Sequence, residues 1–304
     1  MSLTAPPGSQ LSLRDMKIAR PSLTFALELC ANGIADLKSL DSLLLLAVNQ
    51  ANIAPLRRDP EARERYGALE TPASDDERRR VSISAIATSL GLPFETVRQR
   101  LRRLTERGAI AAGPDGVYVP AAFLTSERYL LSVLYANERL RQMYLALTAE
   151  GLVGRLPAPN YDTADGIPLR AAVALVADYV LRVVDPLLRE AGDTISAMLL
   201  LALLVEALTK TEPEARPLSN RELAERLKLP SETTRRHALK LAGQGLAVRR
   251  DGGLVLRIGT LHGPAMTLLL MQNPVHVKRL LDGLAERGLV AAWSGVTATD
   301  AAVA

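Results

Sequence analysis

Two short windows of this 304-residue chain gather the side chains best suited to specific chemistry, and that chemistry is the binding of a polyanion. Residues 78–107 hold 8 Lys/Arg against 2 Asp/Glu, and residues 215–250 hold 9 against 3, a net charge of +6 in each. The rest of the chain carries a net −8, although the whole is only +4. Positive charge confined to two windows of an otherwise acidic chain is the footprint of a surface that meets phosphates. The candidate side chains are Glu95, Thr96, Arg98, Gln99, Arg102 and Arg103 in the first window. In the second they are Ser231, Thr233, Arg235, Arg236, Lys240, Arg249 and Arg250. A guanidinium offers paired N–H donors to planar acceptors and to phosphate oxygens, which a lysine meets as a point charge. Arg100 and Arg107 are expected to meet phosphates as well.

Other chemistry lacks its hardware. The three histidines, His237, His262 and His276, have no partner at a recognisable metal-ligand spacing, and His237 reads as solvated or phosphate-facing. There is no Gly-rich phosphate loop ending in Gly-Lys-Ser/Thr and no Gly-x-Ser-x-Gly elbow. The lone Cys30 sits in an apolar run and reads as a buried, inert thiol. We therefore expect neither an enzyme nor a cofactor.

The elements that must position the basic side chains repeat along the chain. At a shift of 137 residues, Leu90-Gly91-Leu92-Pro93-Phe94-Glu95-Thr96-Val97-Arg98 lies over Leu227-Lys228-Leu229-Pro230-Ser231-Glu232-Thr233-Thr234-Arg235. The same shift carries Gly108 onto Gly245, Gly116 onto Gly253 and Gly151-Leu152-Val153 onto Gly288-Leu289-Val290. Such a gapless match points to a duplicated module. In each copy, apolar positions at helical spacing (Ile83, Ile86, Ala87, Leu90; Leu223, Ala224, Leu227) are followed by a turn and a second helix. Its buried stripe is Val97, Leu101 and Leu104, or Thr234, Ala238 and Leu241. Pro93 suits the first position of that helix, and Gly108, or Gly243 or Gly245, ends it. Short strands at 109–112 and 117–120, and at 247–250 and 254–258, then frame hairpins, the second around Asp251-Gly252.

Helix, turn, helix and two-stranded wing, carried by Ile86 through Gly108 and by Leu223 through Gly245, resemble the winged helix-turn-helix transcription regulators of bacteria. The resemblance covers about 81–120 and 218–258, well under half the chain. It implies that the second helix of each copy enters the major groove of double-stranded DNA and reads base edges, arginine to guanine and glutamine to adenine. It also implies a homodimer and leaves room for a small-molecule effector, for which no ligand signature is present. In the second copy Leu239 replaces Arg102, while Arg249 and Arg250 make its wing the more basic. The copies are thus expected to divide labour between helix and wing.

The fold class expected is mostly α: a duplicated module of a helical pair, a winged helix with a small hairpin, and amphipathic helices. The first repeat spans 1–156, a linker 157–168, the second repeat 169–293 and a polar tail 294–304. The helical pairs are read at 22–38 and 41–53, and at 169–190 and 194–209, with Asp41 and Thr194 as N-caps. The amphipathic stretches are read at 126–150 and 264–287, and the charged insert 55–80 as an exposed loop. The apolar runs 43–48 and 198–205 point to a large helical interface, between the halves or between chains, and paired halves would let one chain imitate a dimer. The most apolar stretch, 195–208, is too short to span a bilayer, and 1–20 has no signal-peptide core. The expected location is cytoplasmic and nucleoid-associated. Two alternatives stand beside the regulator: a winged-helix protein–protein interaction module, and a replication-initiator-like DNA binder.

Overall fold

A computed structural model describes residues 11–34, 37–160, 168–209 and 216–293. Most of the expected linker and the tail 294–304 therefore lie outside the described residues. The chain is mostly helical, with two small antiparallel two-stranded sheets. In order, the elements are α1 (Leu13–Asn32), α2 (Ser39–Ile53), α3 (Pro60–Arg65), α4 (Ile83–Ser89), α5 (Phe94–Glu106), β1 (Ala111–Gly113), β2 (Gly116–Tyr118), α6 (Ala121–Leu124) and α7 (Glu127–Ala149). The second half adds α8 (Leu169–Ala191), α9 (Thr194–Thr209), α10 (Asn220–Leu227), α11 (Ser231–Gly243), β3 (Ala247–Arg250), β4 (Gly253–Leu256), α12 (Ile258–Leu261) and α13 (Pro264–Glu286).

Several boundaries differ from the sequence reading, each for a physical reason. α1 begins nine residues before the expected 22 and runs through Pro21. Its start is held by a capping box, in which Ser12 Oγ accepts from the Asp15 N–H at 3.0 Å and the Asp15 carboxylate accepts from the Ser12 N–H at 3.2 Å. Asp41 is not an N-cap but lies in the first turn of α2, which starts at Ser39 because Ser39 and Leu40 are buried. Asp193, not Thr194, caps α9, its carboxylate accepting the Ser196 N–H at 2.8 Å. The insert 55–80 is not a plain exposed loop: it forms α3, capped by Asp59, and buries Ala62, Ala73 and Arg78.

The two basic windows form matching structures. In each, a short helix, a turn and a thirteen-residue helix (α4–α5, α10–α11) lead into the hairpin. Both long helices end identically. The N–H groups of Gly108 and Ala109 bond Thr105 O and Leu104 O, and those of Gly245 and Leu246 bond Ala242 O and Leu241 O. These are Schellman closures, and the left-handed φ of +70° and +72° they require is why glycine ends both helices. Each hairpin also pairs with one residue ahead of its helices, Val81 with Val117 and Leu218 with Leu254, again 137 residues apart. That pairing brings backbone so close that a Cβ at Gly116 would sit 2.5 Å from Val81 O, and one at Gly253 2.7 Å from Pro217 Cβ.

The two halves share one continuous core. α9 lies at its centre, with Ala197 through Val205 all 2% exposed or less. Contacts between the halves are reciprocal: α1 packs on α9 as α8 packs on α2, α1 packs on α13 as α8 packs on α7, and α1 meets α8. Polar contacts follow the same exchange. Thr194 Oγ1, at the start of α9, donates to Leu90 O at 2.5 Å, and Ser39 Oγ, at the start of α2, donates to Leu227 O. Leu90 and Leu227 are the repeat-equivalent residues that end α4 and α10, so each turn is tied to the opposite half. This is the pattern of a self-complementary dimer contact within one chain. The apolar runs expected to form an interface are consumed here, between the halves.

Among the described residues no single helix is long and apolar enough to cross a membrane. α8 and α9 pass that test only as a pair bent by 107°, and both are largely buried in the bundle.

Candidate nucleic-acid interface

α5 is held by Val97, Leu101 and Leu104, each 2% exposed or less, and packs on α4 and α2. The opposite face carries Glu95, Arg98, Gln99 and Arg102, all exposed, while Thr96 is half-buried. α11 is held by Thr234, Ala238 and Leu241 against α9, leaving Ser231, Arg235 and Arg236 exposed and Thr233 half-buried. Leu239, at the Arg102 position, is 43% exposed, an apolar spot within the polar face. Arg249 and Arg250 stand exposed on β3 next to the Asp251-Gly252 turn. That turn has φ of +46° and +77°, as the tight-hairpin expectation requires.

Three of the exposed arginines, Arg98, Arg102 and Arg235, are already engaged along their own helices. Arg98 forks onto Glu95 through Nε and Nη2 at 2.8 and 2.7 Å, and Arg235 forks onto Glu232 at the same two distances. Gln99 also donates to Glu95 at 3.0 Å, and Arg102 lies 3.5 Å from Glu106. The Arg98 bonds, with Gln99, bring the Glu95 carboxyl down to about 2. Pairs this exposed contribute little to stability and exchange readily for a stronger anion. Neither α5 nor α11 has a side-chain N-cap, because Pro93 and Pro230 occupy that position rather than the first helical one. The first-turn N–H groups of both helices thus point outward unbonded by a cap, the arrangement that suits a phosphate.

Basic groups nearer the shared core behave differently. Arg100 bonds Asp41 at 2.7 Å, so it is not free to meet a phosphate as expected. Lys240 bonds Asp193 at 2.6 Å, and His237, expected to be solvated, lies 3.2 Å from the same carboxylate and 2.9 Å from Ser196 Oγ. In each half a basic side chain of the long helix thus closes onto an acidic residue at the start of α2 or α9. Arg103 lines a cleft of about 380 Å³ that reaches across to Thr233 and Pro230 at the start of α11, with Lys38, Asp41 and Arg107 around it. The cleft brings together candidate residues from the two windows that nothing in their spacing would place side by side. Arg78, counted in the first window, belongs to the interior at 3% exposed, and Arg80 stacks on the Tyr118 ring at 3.4 Å.

Burial alone would raise the Asp193 carboxyl, but bonds from His237, Lys240 and Ser196 hold it well below the usual carboxylate range. Its folded pKa lies below its unfolded value, so it contributes stability that is complete above about pH 4 and lost as the pH falls toward the folded pKa. We expect the thermal midpoint to fall as the pH drops below about 4, and Asp193→Asn to flatten that fall while lowering the midpoint at pH 7. Scanning calorimetry across that range checks both, and an unchanged acid limb in the variant would mean that Asp193 does not govern it.

Cys30 is buried and its thiol is pushed up to about 12 by burial, in line with an inert core residue. No group of three His, Cys, Asp or Glu side chains that could hold a metal occurs among the described residues. No family model matches this chain, and neither the curated proteins nor the solved structures contain a match to it. What fold and site define is therefore a class alone: a mostly helical protein with two helix–turn–helix-plus-hairpin segments on one shared core.

Proposed function

We propose that the chain is a sequence-specific double-stranded DNA-binding protein, acting as a transcription regulator through two winged helix-turn-helix units. The observation that carries the reading is the repetition of one surface: an uncapped, arginine-bearing helix followed by a hairpin, built twice at the same spacing. Of the thirteen candidate residues only Thr96, Thr233 and Lys240 are not exposed, so most of the surface is open to a duplex. In this reading α5 and α11 offer guanidiniums and first-turn N–H groups, and β3 adds Arg249 and Arg250 as phosphate contacts. The homodimer and the cytoplasmic, nucleoid-associated location belong to the same proposal.

A second reading, a protein–protein interaction module, is favoured by one feature. Arg98 and Arg235 are neutralised within their own helices, beside Phe94 and Leu239 at 51% and 43% exposure. Capture of sheared genomic DNA by the purified protein across a salt series separates the two. Enrichment of a shared motif, with retention falling steeply as salt rises, is the expected result. No retention even at low salt would end the DNA reading in favour of the interaction module. Scattered sites would mark a regulator, and a single repeat-rich locus an initiator.

A further inference from the structure

A buried guanidinium, Arg78, and a half-buried one, Arg170, line the same cavity. Arg78 is 3% exposed and spends its donors on Ala73 O at 3.2 Å and Asn49 Oδ1 at 3.3 Å. Arg170 donates to Ala68 O and Leu124 O, both at 3.3 Å, and to Leu69 O, while its Nη1 is buried without a partner. Neither has a carboxylate at ion-pair distance among the described residues. Burial, and for Arg78 also the neighbouring Arg170, disfavours the charge on each, and the more distant carboxylates of Asp75 and Glu77 for Arg78, and of Glu70 for Arg170, offset this only in part. Keeping two like charges unpaired, one buried and one half-buried, is costly, and the cost is offset when an anion sits between them.

The space around them has the shape of a ligand seat. A chamber of about 70 Å³ is lined by Arg78, Arg170, Tyr129 and Asn49. It shares Tyr129, Asn49 and Val173 with a second chamber of about 70 Å³, whose walls are otherwise mostly aliphatic, from α1, α2, α7 and α8. Each is several times the room one water needs, and together they suit a small organic molecule. Tyr129 is 6% exposed, its ring lies 5.9 Å from the Arg170 guanidinium carbon, and burial raises its hydroxyl, which stays protonated and able to donate. Ser42 Oγ, in the apolar chamber, is another buried group without a partner. On its outer side the polar chamber shares Arg57, Arg63 and Arg287 with an open cleft that also carries Lys278 and Arg279 beside Asp282 and Glu286, and this net positive approach favours anions.

We propose that these adjoining chambers open into one another and bind a small organic monocarboxylate, its carboxylate held by Arg78 and Arg170 and its apolar body seated between α1, α2, α7 and α8. The seat lies beside the first basic window: α2 packs on α5, and Leu188 of α8 lies 3.0 Å from where a Cβ on Gly91 would be. Occupancy therefore braces the two helices that support the α4–α5 turn. Binding stands without the DNA reading, whereas its regulatory consequence rests on it.

Isothermal titration of the full chain with benzoate and with hexanoate tests the seat, with benzamide and hexan-1-ol as uncharged counterparts. A carboxylate should bind, and its uncharged counterpart should bind about tenfold or more weakly, the size expected for losing charge-assisted hydrogen bonds. Arg170→Met should remove that preference, and Val173→Phe, which fills the junction between the chambers, should remove binding while the unliganded melting midpoint is kept. Equal binding of acid and amide, undiminished binding by both variants, or no heat from either acid at millimolar concentration would overturn the proposal. DNA retention measured with no acid present reports separately on the DNA reading.

Discussion

Replacing Asn273 by Leu is expected to lower the melting midpoint by about 5 °C, the equivalent of about 3 kcal/mol for a chain of this size. Asn273 is fully buried on α13 and joins three helices. Its Oδ1 accepts from the Tyr179 hydroxyl of α8 at 2.9 Å, and its Nδ2 donates to Ser22 Oγ of α1 at 2.8 Å. Ser22 Oγ in turn donates to Ile18 O at 2.7 Å. Burial raises Tyr179, so the hydroxyl remains a proton donor that must find an acceptor. With leucine in place the donor is stranded in the core, where the loss is the whole desolvation cost of that group. Adding Tyr179→Phe should recover part of the loss, because removing both partners costs less than stranding one. The pair should therefore be non-additive in a double-mutant cycle followed by calorimetry. A leucine variant that melts with the wild type, or strict additivity, would show that this network does not hold the halves together.

The second large effect concerns the surface. The fourfold variant Arg98→Ala, Arg102→Ala, Arg235→Ala, Arg236→Ala should bind the captured DNA at least about a hundredfold more weakly. Its salt dependence should be shallower by about three to four in the slope of log K against log salt, about one for each phosphate no longer neutralised. The melting midpoint should hardly move, since all four side chains are exposed and the ion pairs of Arg98, Arg102 and Arg235 each lie within one helix. The opposite change sharpens the test. Glu95→Gln with Glu232→Gln releases Arg98 and Arg235 from their forks and should tighten binding while steepening the slope. Fluorescence anisotropy on a labelled duplex from 50 to 200 mM salt, about the range over which such contacts are felt, reads both variants. If the arginine variant bound normally, α5 and α11 would not be the contacting surface.

Arg78 and Arg98 show why charge was easier to read than its purpose. Both raise the positive count of the first window, but one is buried beside a cavity and the other stands exposed on α5. Composition sums them equally, since a window has no inside. His237 and Lys240 read as solvent-facing from helical spacing, yet Asp193, distant in sequence, draws both inward. No local signal could have found the exchange of Thr194 with Leu90 and of Ser39 with Leu227, because each bond joins residues more than a hundred positions apart.

By itself the sequence determined what is local and periodic. The 137-residue repeat, the apolar stripes of α5 and α11, the glycines that end them and the Asp251-Gly252 hairpin follow from spacing and backbone preference. These need only a few neighbouring residues to act. The tertiary structure alone decided how the two halves share a core, which arginines keep their charge at the surface, and where Arg78 and Arg170 come to face one chamber. Those outcomes depend on which distant groups come within hydrogen-bonding distance once apolar area is removed from water. That is a property of the packed chain and not of any segment within it.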